Sequence, residues 1–448
     1  MGSTPLANNS IGQRWKTTFR ALKHRNFQLF FSGQLVSLIG TWMQVIAESW
    51  LVYRLTGSAV LLGSIGFASQ IPVFLFAPLG GMAADRVSRH KLVIATQASA
   101  MVLATTYGTL ILTNRITIRE IFVLASLLGV VNAFDIPTRQ AFMVEMVGRE
   151  DLMNAIALNS SMFNGARIVG PAIAGVLIAK IGEGWCFLAN GLSYVAVITG
   201  LLLMTVPKFE RRPVSGTPTA HIIEGFQFVR KNMPIRDILL LLGVISLVAM
   251  PYAVLMPIFA DRILHGGARG LGILMGATGV GALLGALTVA AKSGLRGLGK
   301  FVGIAAVGFG VSLTVFSQSR SFWLSVVLLI PVGYGMMLET TSSNTLIQSM
   351  VPDELRGRVL AVYTMMFMGM APLGSLFAGI IAHHIGAPWT LAIGGTVAVI
   401  AGSIFLTRLA EFRVGARQLV IAQGLAGGNP PQEIIPDGAI TPPFSGED

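Results

Sequence analysis

Gln34, Ser37, Thr41, Gln44 and Glu48 follow one another at spacings of 3, 4, 3 and 4 in the first long apolar stretch of the chain. On a helix that spacing puts all five on one face. Five polar groups against hydrocarbon would be costly, so the face reads as the wall of a water-filled path. The alternative is hydrogen bonding between helices in a dry bundle. Glu48 precedes Arg54 by six residues, about 9 Å along a helix. A carboxylate at that depth favours a bound proton and is the first candidate for a proton carrier.

Three more groupings carry ionisable chemistry. Asp135 and Arg139 share a helix face with Asn132 a turn earlier, and Asp135 is a possible proton site. Glu339 is followed by Thr340, Thr341, Ser342, Ser343 and Asn344 without a nearby arginine. It is either a polar contact or a second protonation site. Ser160, Asn164 and Arg167 align ahead of Gly170-Pro171, where a helix break is expected. Arg167 would receive an anionic substrate, pair with an intramembrane acid, or neutralise Asp135 or a helix end. No G-x-x-x-x-G-K-[ST] phosphate loop and no H-E-x-x-H motif occurs, and the six histidines and single cysteine do not form a metal set. Enzymatic chemistry, a metal and a cofactor are therefore not expected.

Such residues must be held by long apolar elements. The chain has 448 residues, a mean hydropathy of +0.71 and 12% charged residues, against roughly 25% in soluble domains. With about 20 apolar residues needed per span, the apolar runs place spans near 27–54, 58–83, 92–113, 120–146, 154–180, 185–206, 237–260, 270–291, 301–318, 321–350, 357–382 and 387–407. The net charge of +12 is unevenly spread: 24 of the 32 Lys and Arg residues fall in the even-numbered connections, the two tails or, for Arg139, the inner end of the fourth span. The positive-inside rule then puts both termini in the cytoplasm. The basic balance reports topology in a lipid bilayer, not a nucleic-acid site. Residues 1–26 are polar and basic, so the first span is expected to serve as the insertion signal.

The chain repeats itself. Residues 140–182 align without a gap to 344–386 at a constant offset of 204, with 12 of 43 positions identical, among them Met146/Met350, Glu150/Glu354, Phe163/Phe367 and Gly182/Gly386. The same offset pairs Asp135 with Glu339. It equals six spans with their loops, which predicts an all-α membrane protein of twelve transmembrane helices in two six-helix halves, 27–206 and 237–410. A cytoplasmic segment 1–26 precedes them, and a cytoplasmic linker 207–236 joins them through an amphipathic helix bearing Ile222, Phe226 and Val229. A disordered cytoplasmic tail is expected over 411–448.

Gly81-Met-Ala-Ala-Asp85-Arg86-Val-Ser-Arg89-His-Lys91, between the second and third spans, resembles the G-x-x-x-D-R-x-G-R-R/K signature of the major facilitator superfamily, with Ser88 in place of its glycine. Two parallel six-helix halves are that superfamily's plan. Asn132-Ala-Phe-Asp135-Ile-Pro137-Thr-Arg139-Gln140 and the opening Asn26-Phe-Gln-Leu-Phe-Phe-Ser-Gly-Gln34 are similar to its branch of drug:proton antiporters containing enterobactin-exporter and macrolide-efflux proteins.

The resemblance implies a cytoplasmic gate in which Asp85, Arg89 and Asp135 form one cluster, with Gly81 allowing close helix approach and Arg86, Lys91 and Arg139 alongside. It further implies proton-driven efflux of a small amphipathic organic molecule by alternating access, in a bacterial inner membrane, with the proton gradient as energy source; a monomer is one expectation, and the oligomeric state stays open at the level of sequence. The alternatives are a transporter not coupled to protons, a lysophospholipid flippase, or a non-transporting membrane sensor or scaffold.

Overall fold

The computed structural model describes residues 19–206, 218–292 and 294–425. Expectations for residues 1–18, for the linker up to 217 and for the tail beyond 425 lie outside them. The first half forms α1 (Arg25–Thr56), α2 (Ala59–Arg86), α3 (Arg89–Leu112), α4 (Ile118–Val147), α5 (Leu152–Ile181) and α6 (Glu183–Leu202). The second forms α7 (Met233–Ile263), α8 (Gly267–Ala290), α9 (Leu298–Gln318), α10 (Phe322–Met350), α11 (Asp353–Ile385) and α12 (Ala387–Thr407). A 3-10 turn, Arg20–Lys23, precedes α1, a linker helix, Pro218–Lys231, precedes α7, and α13 (Leu409–Leu425) follows α12.

These are the twelve expected spans. Eleven of them are long and apolar enough to cross a membrane by length and composition. The twelfth, α3, is a 24-residue helix diluted by Thr96, Gln97, Ser99, Thr105, Thr106 and Thr109. Gly182 and Gly386, mates in the repeat, both carry a positive φ (91° and 83°) between consecutive helices. Only glycine adopts that backbone without strain, which explains their identity.

The described residues fall into two compact units, one of those within 19–206 together with 256–276, the other of those within 218–255 together with 277–425. In the first, α1 packs on α5 and α6, α2 on α4, and α3 on α4 and α6. In the second, α9 packs on α10 and α12, α7 on α11 and α12, and the glycines of the G-x-x-x-G pair Gly281/Gly285 face the backbone of α10 at Ile330 and Tyr334. The unit boundary at Leu255/Met256 falls between two prolines of α7, Pro251 and Pro257. Proline lacks the N–H that would continue the ladder. The helix accordingly stops at Val248, resumes at Tyr252 and ends in a π-turn over Phe259–Ile263.

Three local expectations change. Gly170-Pro171 does not break its helix: α5 runs through it, with Gly170 against the Trp42 Cβ on α1. Neighbouring packing holds a proline that a lone helix would not tolerate. The tail is helical from Leu409 to Leu425 because Phe412 and Val420 are buried and Gln423 donates to the Ser349 carbonyl at 3.0 Å. The linker helix presents a different face from the one expected. Val229 is buried and Gly225 meets the Arg358 carbonyl, while Phe226 is 39% exposed, and Glu224 pairs with Arg358 on α11. The Ile222 side chain lies outside the described residues.

Candidate functional site

The polar stripe of α1 divides along its length. Gln34, Ser37 and Gln44 are buried, and Thr41 and Glu48 are half-buried. Gln44 Oε1 accepts from Asn190 Nδ2 of α6 at 2.6 Å, and Ser193 Oγ donates to Asn190 Oδ1 at 3.1 Å. At Gln44 the dry alternative, bonding between helices, is the one realised. Thr41 returns its hydroxyl to the Ser37 carbonyl at 2.9 Å. Gln34 Oε1 is enclosed without a donor, and Glu48 makes no hydrogen bond or ion pair among the described residues. Asn190 and Ser193 were legible only as polar interruptions of the sixth span.

Asp135 and Arg89 do not share one cluster. Asp135, 4% exposed, has the Arg139 guanidinium 3.1 Å from one oxygen, while Thr96 Oγ1 (2.8 Å) and Gln97 Nε2 (2.9 Å) of α3 donate to the other. Arg89 instead reaches Glu145 at 3.1 Å and Asp85 at 3.3 Å, and donates to the Ala84 and Ala141 carbonyls at 3.1 and 3.3 Å. The reason is axial distance: Ala141 and Glu145 lie six and ten residues beyond Asp135 on α4, about 9 and 15 Å along the helix. Arg86 and Lys91 are exposed, and Asp85 is half-exposed. The close approach assigned to Gly81 belongs to its neighbour. A Cβ on Gly80 would collide with the Ala133 carbonyl of α4, whereas one on Gly81 would meet nothing within 4 Å. Thr96, Gln97 and Glu145 are the residues sequence reasoning missed here.

Glu339 of α10 is 1% exposed and, among the described residues, is held by hydroxyls. Ser343 Oγ donates to it at 3.1 Å and Thr340 Oγ1 at 3.3 Å. Tyr363 of α11 donates to the Thr340 carbonyl at 3.1 Å, and the buried Ser342 hydroxyl has no partner among the described residues. On α5, Asn164 is buried with its Oδ1 unmatched, and the Arg167 guanidinium sits 5.6 Å from the centre of the Trp42 ring. Among the described residues no three His, Cys, Asp or Glu side chains gather as a metal would require.

Both ends of the first unit carry ionic fastenings. At one end Arg54 Nε donates to Glu183 at 2.7 Å, and Tyr53 donates to Asp261 at 2.7 Å beneath the Arg262 guanidinium. At the other, Asp151, between α4 and α5, receives His24 (2.7 Å), Lys23 (2.9 Å) and Arg20 (2.7 Å). Hydrogen bonds from His24 and Lys23, with the charge of Arg20, hold its carboxyl below the usual aspartate range.

Residues 16–420 match the family model described as "Transmembrane secretion effector". The chain is 27% identical over 381 residues to the staphyloferrin A transporter of Staphylococcus aureus (strain NCTC 8325 / PS 47), covering 84% of this chain and 94% of that one. It is 27% identical over 405 residues to the multidrug efflux pump Tap of Mycolicibacterium fortuitum (87% and 97% covered). To the enterobactin exporter EntS of Citrobacter koseri (strain ATCC BAA-895 / CDC 4225-83 / SGSC4696) it is 24% identical over 409 residues (90% and 96%). Two solved structures share the fold: the nucleoside transporter NupG (TM-score 0.65, 14% identity, 86% and 98% covered) and a POT family transporter bound to a thioalcohol-conjugated peptide (0.70, 10%, 87% and 96%).

Proposed function

Because the chain belongs to the transmembrane secretion effector family, we propose that it exports a small amphipathic organic molecule against its gradient, driven by protons, through alternating access of its two halves. It is a multi-pass membrane transporter of the major facilitator superfamily and not an enzyme. Efflux of organic molecules is supported by relatives named for staphyloferrin A, multidrug and enterobactin transport. The concentration of Lys and Arg in the even-numbered connections supports cytoplasmic termini and a periplasmic-facing Glu48.

The observation that carries proton coupling is a contrast between carboxylates. Asp135, Glu145 and Glu183 each hold an arginine, whereas Glu48 and Glu339 make no ion pair among the described residues. An unpaired carboxylate charge is costly inside a membrane, and a proton removes that cost. Glu48, half-buried and unbonded, is the better placed to load and release a proton, and Glu339 is the second site. The gate pairs Arg89 with Asp85 and Glu145, and Asp135 with Arg139.

Efflux from vesicles against a compound panel, with and without an uncoupler, tests the reading. Glu48→Gln should still bind substrate and exchange it passively, yet build no proton-driven gradient. Wild-type pumping by Glu48→Gln together with failure of Glu339→Gln would move the carrier to α10. Efflux indifferent to both changes and to the uncoupler would sink proton coupling.

A further inference from the structure

Two buried acids correspond through the repeat. Asp135 and Glu339 are mates at the offset of 204, and so are Thr138 and Ser342, and Arg139 and Ser343. In the first half the counter-charge of the acid is part of the chain: the Arg139 guanidinium stands 3.1 Å away, and Thr96 and Gln97 of α3 donate to the same carboxylate. In the second half Ser343 occupies the position of that arginine, with its hydroxyl 3.1 Å from Glu339 Oε1. No other helix donates to Glu339 among the described residues. Thr138 gives its hydroxyl hydrogen to the Phe134 carbonyl at 2.6 Å. Its mate Ser342 is fully buried one turn after Glu339, on the same helix face. The Ser342 hydroxyl, unlike that of Thr138, has no partner among the described residues.

We propose that Glu339, Ser342 and Ser343, with Thr340 beside them, bind an alkali cation of sodium's size, which takes the place held by the Arg139 guanidinium in the first half; the inference goes beyond the proton reading above and shares with it only the unpaired carboxylate. A lone carboxylate charge is costly away from water, and a bound cation offsets that cost as an arginine does. The groups on offer are all oxygens, the ligands of hard cations. One carboxylate matches a single positive charge. Transition metals are held by clusters of His, Cys, Asp or Glu, and none of three or more occurs among the described residues. Spacing sets the size. Neighbouring oxygens of an octahedron around an ion held at about 2.3–2.6 Å stand roughly 3.3–3.7 Å apart. The Glu339 carboxylate lies 3.1 Å from Ser343 Oγ and 3.3 Å from Thr340 Oγ1, close to that spacing. Potassium needs a wider ring of oxygens. A cation also takes up the lone pairs of the Ser342 hydroxyl, which removes the cost of a polar group buried without a partner. Tyr363 of α11 holds the Thr340 carbonyl at 3.1 Å and so fixes the turn that carries the four residues. All of them belong to the second unit.

The test is equilibrium binding of radiolabelled Na+ to the full chain in lipid nanodiscs at mildly alkaline pH. Choline chloride holds the ionic strength, and unlabelled Na+ and K+ are the competitors. Wild type should bind Na+ saturably, with K+ at least about tenfold weaker as a competitor. Glu339→Gln should lose about tenfold or more in affinity. Ser343→Arg, which rebuilds the pair of the first half, should abolish binding by supplying a permanent cation. Ser342→Ala should weaken binding about threefold or more, while its thermal unfolding without Na+ stays unchanged or rises, because an unmatched buried hydroxyl is removed. A merely structural serine would not divide the two readouts in that way. Ser342→Ala carries the test if the charge-changing variants do not fold. The site is overturned if wild type shows no saturable Na+ binding, if K+ displaces the label as readily as Na+, or if Glu339→Gln or Ser342→Ala binds unchanged. Uncoupler-sensitive efflux by a chain that binds no Na+ would remove this site and leave the proton reading standing. Na+ binding that depends on Glu339, without uncoupler-sensitive efflux, would do the reverse.

Discussion

Arg139 sits one helical turn after Asp135 with its guanidinium 3.1 Å from the carboxylate, and this internal pair, not a link to Arg89, neutralises the acid of α4. Two hydrogen bonds from α3 complete the coordination of the same carboxylate. The arrangement ties α3 to α4 inside the membrane and keeps a charge there at tolerable cost.

Removing one member of that pair should therefore be worse than removing both. Arg139→Ala leaves Asp135 buried and uncompensated, a loss of about 3–5 kcal/mol. Asp135→Asn combined with Arg139→Gln should recover a large part of it. Thermal unfolding in detergent is the measurement, and a double variant as unstable as Arg139→Ala would show that the pair is not the source of the cost.

Arg89 and Glu145 share one network, so Arg89→Ala and Glu145→Gln should combine non-additively in transport assays, with an interaction of about 0.5–3 kcal/mol. Arg89→Ala and Asp135→Asn touch different networks and should add within about 0.5 kcal/mol. Coupling between Arg89 and Asp135 as strong as that with Glu145 would restore the single cluster.

Adjacent glycines should respond in opposite ways. A Cβ at position 80 collides with backbone of α4, so Gly80→Ala should destabilise by about 1–3 kcal/mol. Gly81→Ala meets open space and should change unfolding little or slightly improve it. Equal tolerance at both positions would show that α2 and α4 shift apart freely.

The docking of the Arg20–Lys23 turn should depend on pH through Asp151. Its carboxyl titrates below the ordinary aspartate value of 3.8 when folded. The stabilisation is therefore fully present above that value and is lost as pH falls through the lower, folded one. Hydrogen exchange across residues 19–24 should rise only in that acid window. In Asp151→Asn it should be high already at neutral pH and flat with pH. An acid rise of equal size in Asp151→Asn would assign the effect to another group such as Glu150, whose carboxylate lies 3.8 Å from Arg20.

The amino-acid sequence by itself determined the class, the span order and the repeat. Apolar runs of membrane length admit few structures other than helices, because lipid offers no partner for exposed backbone groups. Gly182 and Gly386 stand at corresponding turns because both need a positive φ, a local requirement that leaves its mark in the sequence. Partner choice left no such mark. Along a helix, spacing says which residues share a face, as for Gln34 to Glu48 or Asp135 and Arg139, but not which helix covers that face or at what height. Tertiary packing decided that Gln44 meets Asn190, that Arg89 stops at Glu145 instead of reaching Asp135, and that Gly80 touches α4 while Gly81 does not. The axial offset of one helix against its neighbour settled each of these cases, and that offset depends on the interlocking of side chains from segments far apart in the chain.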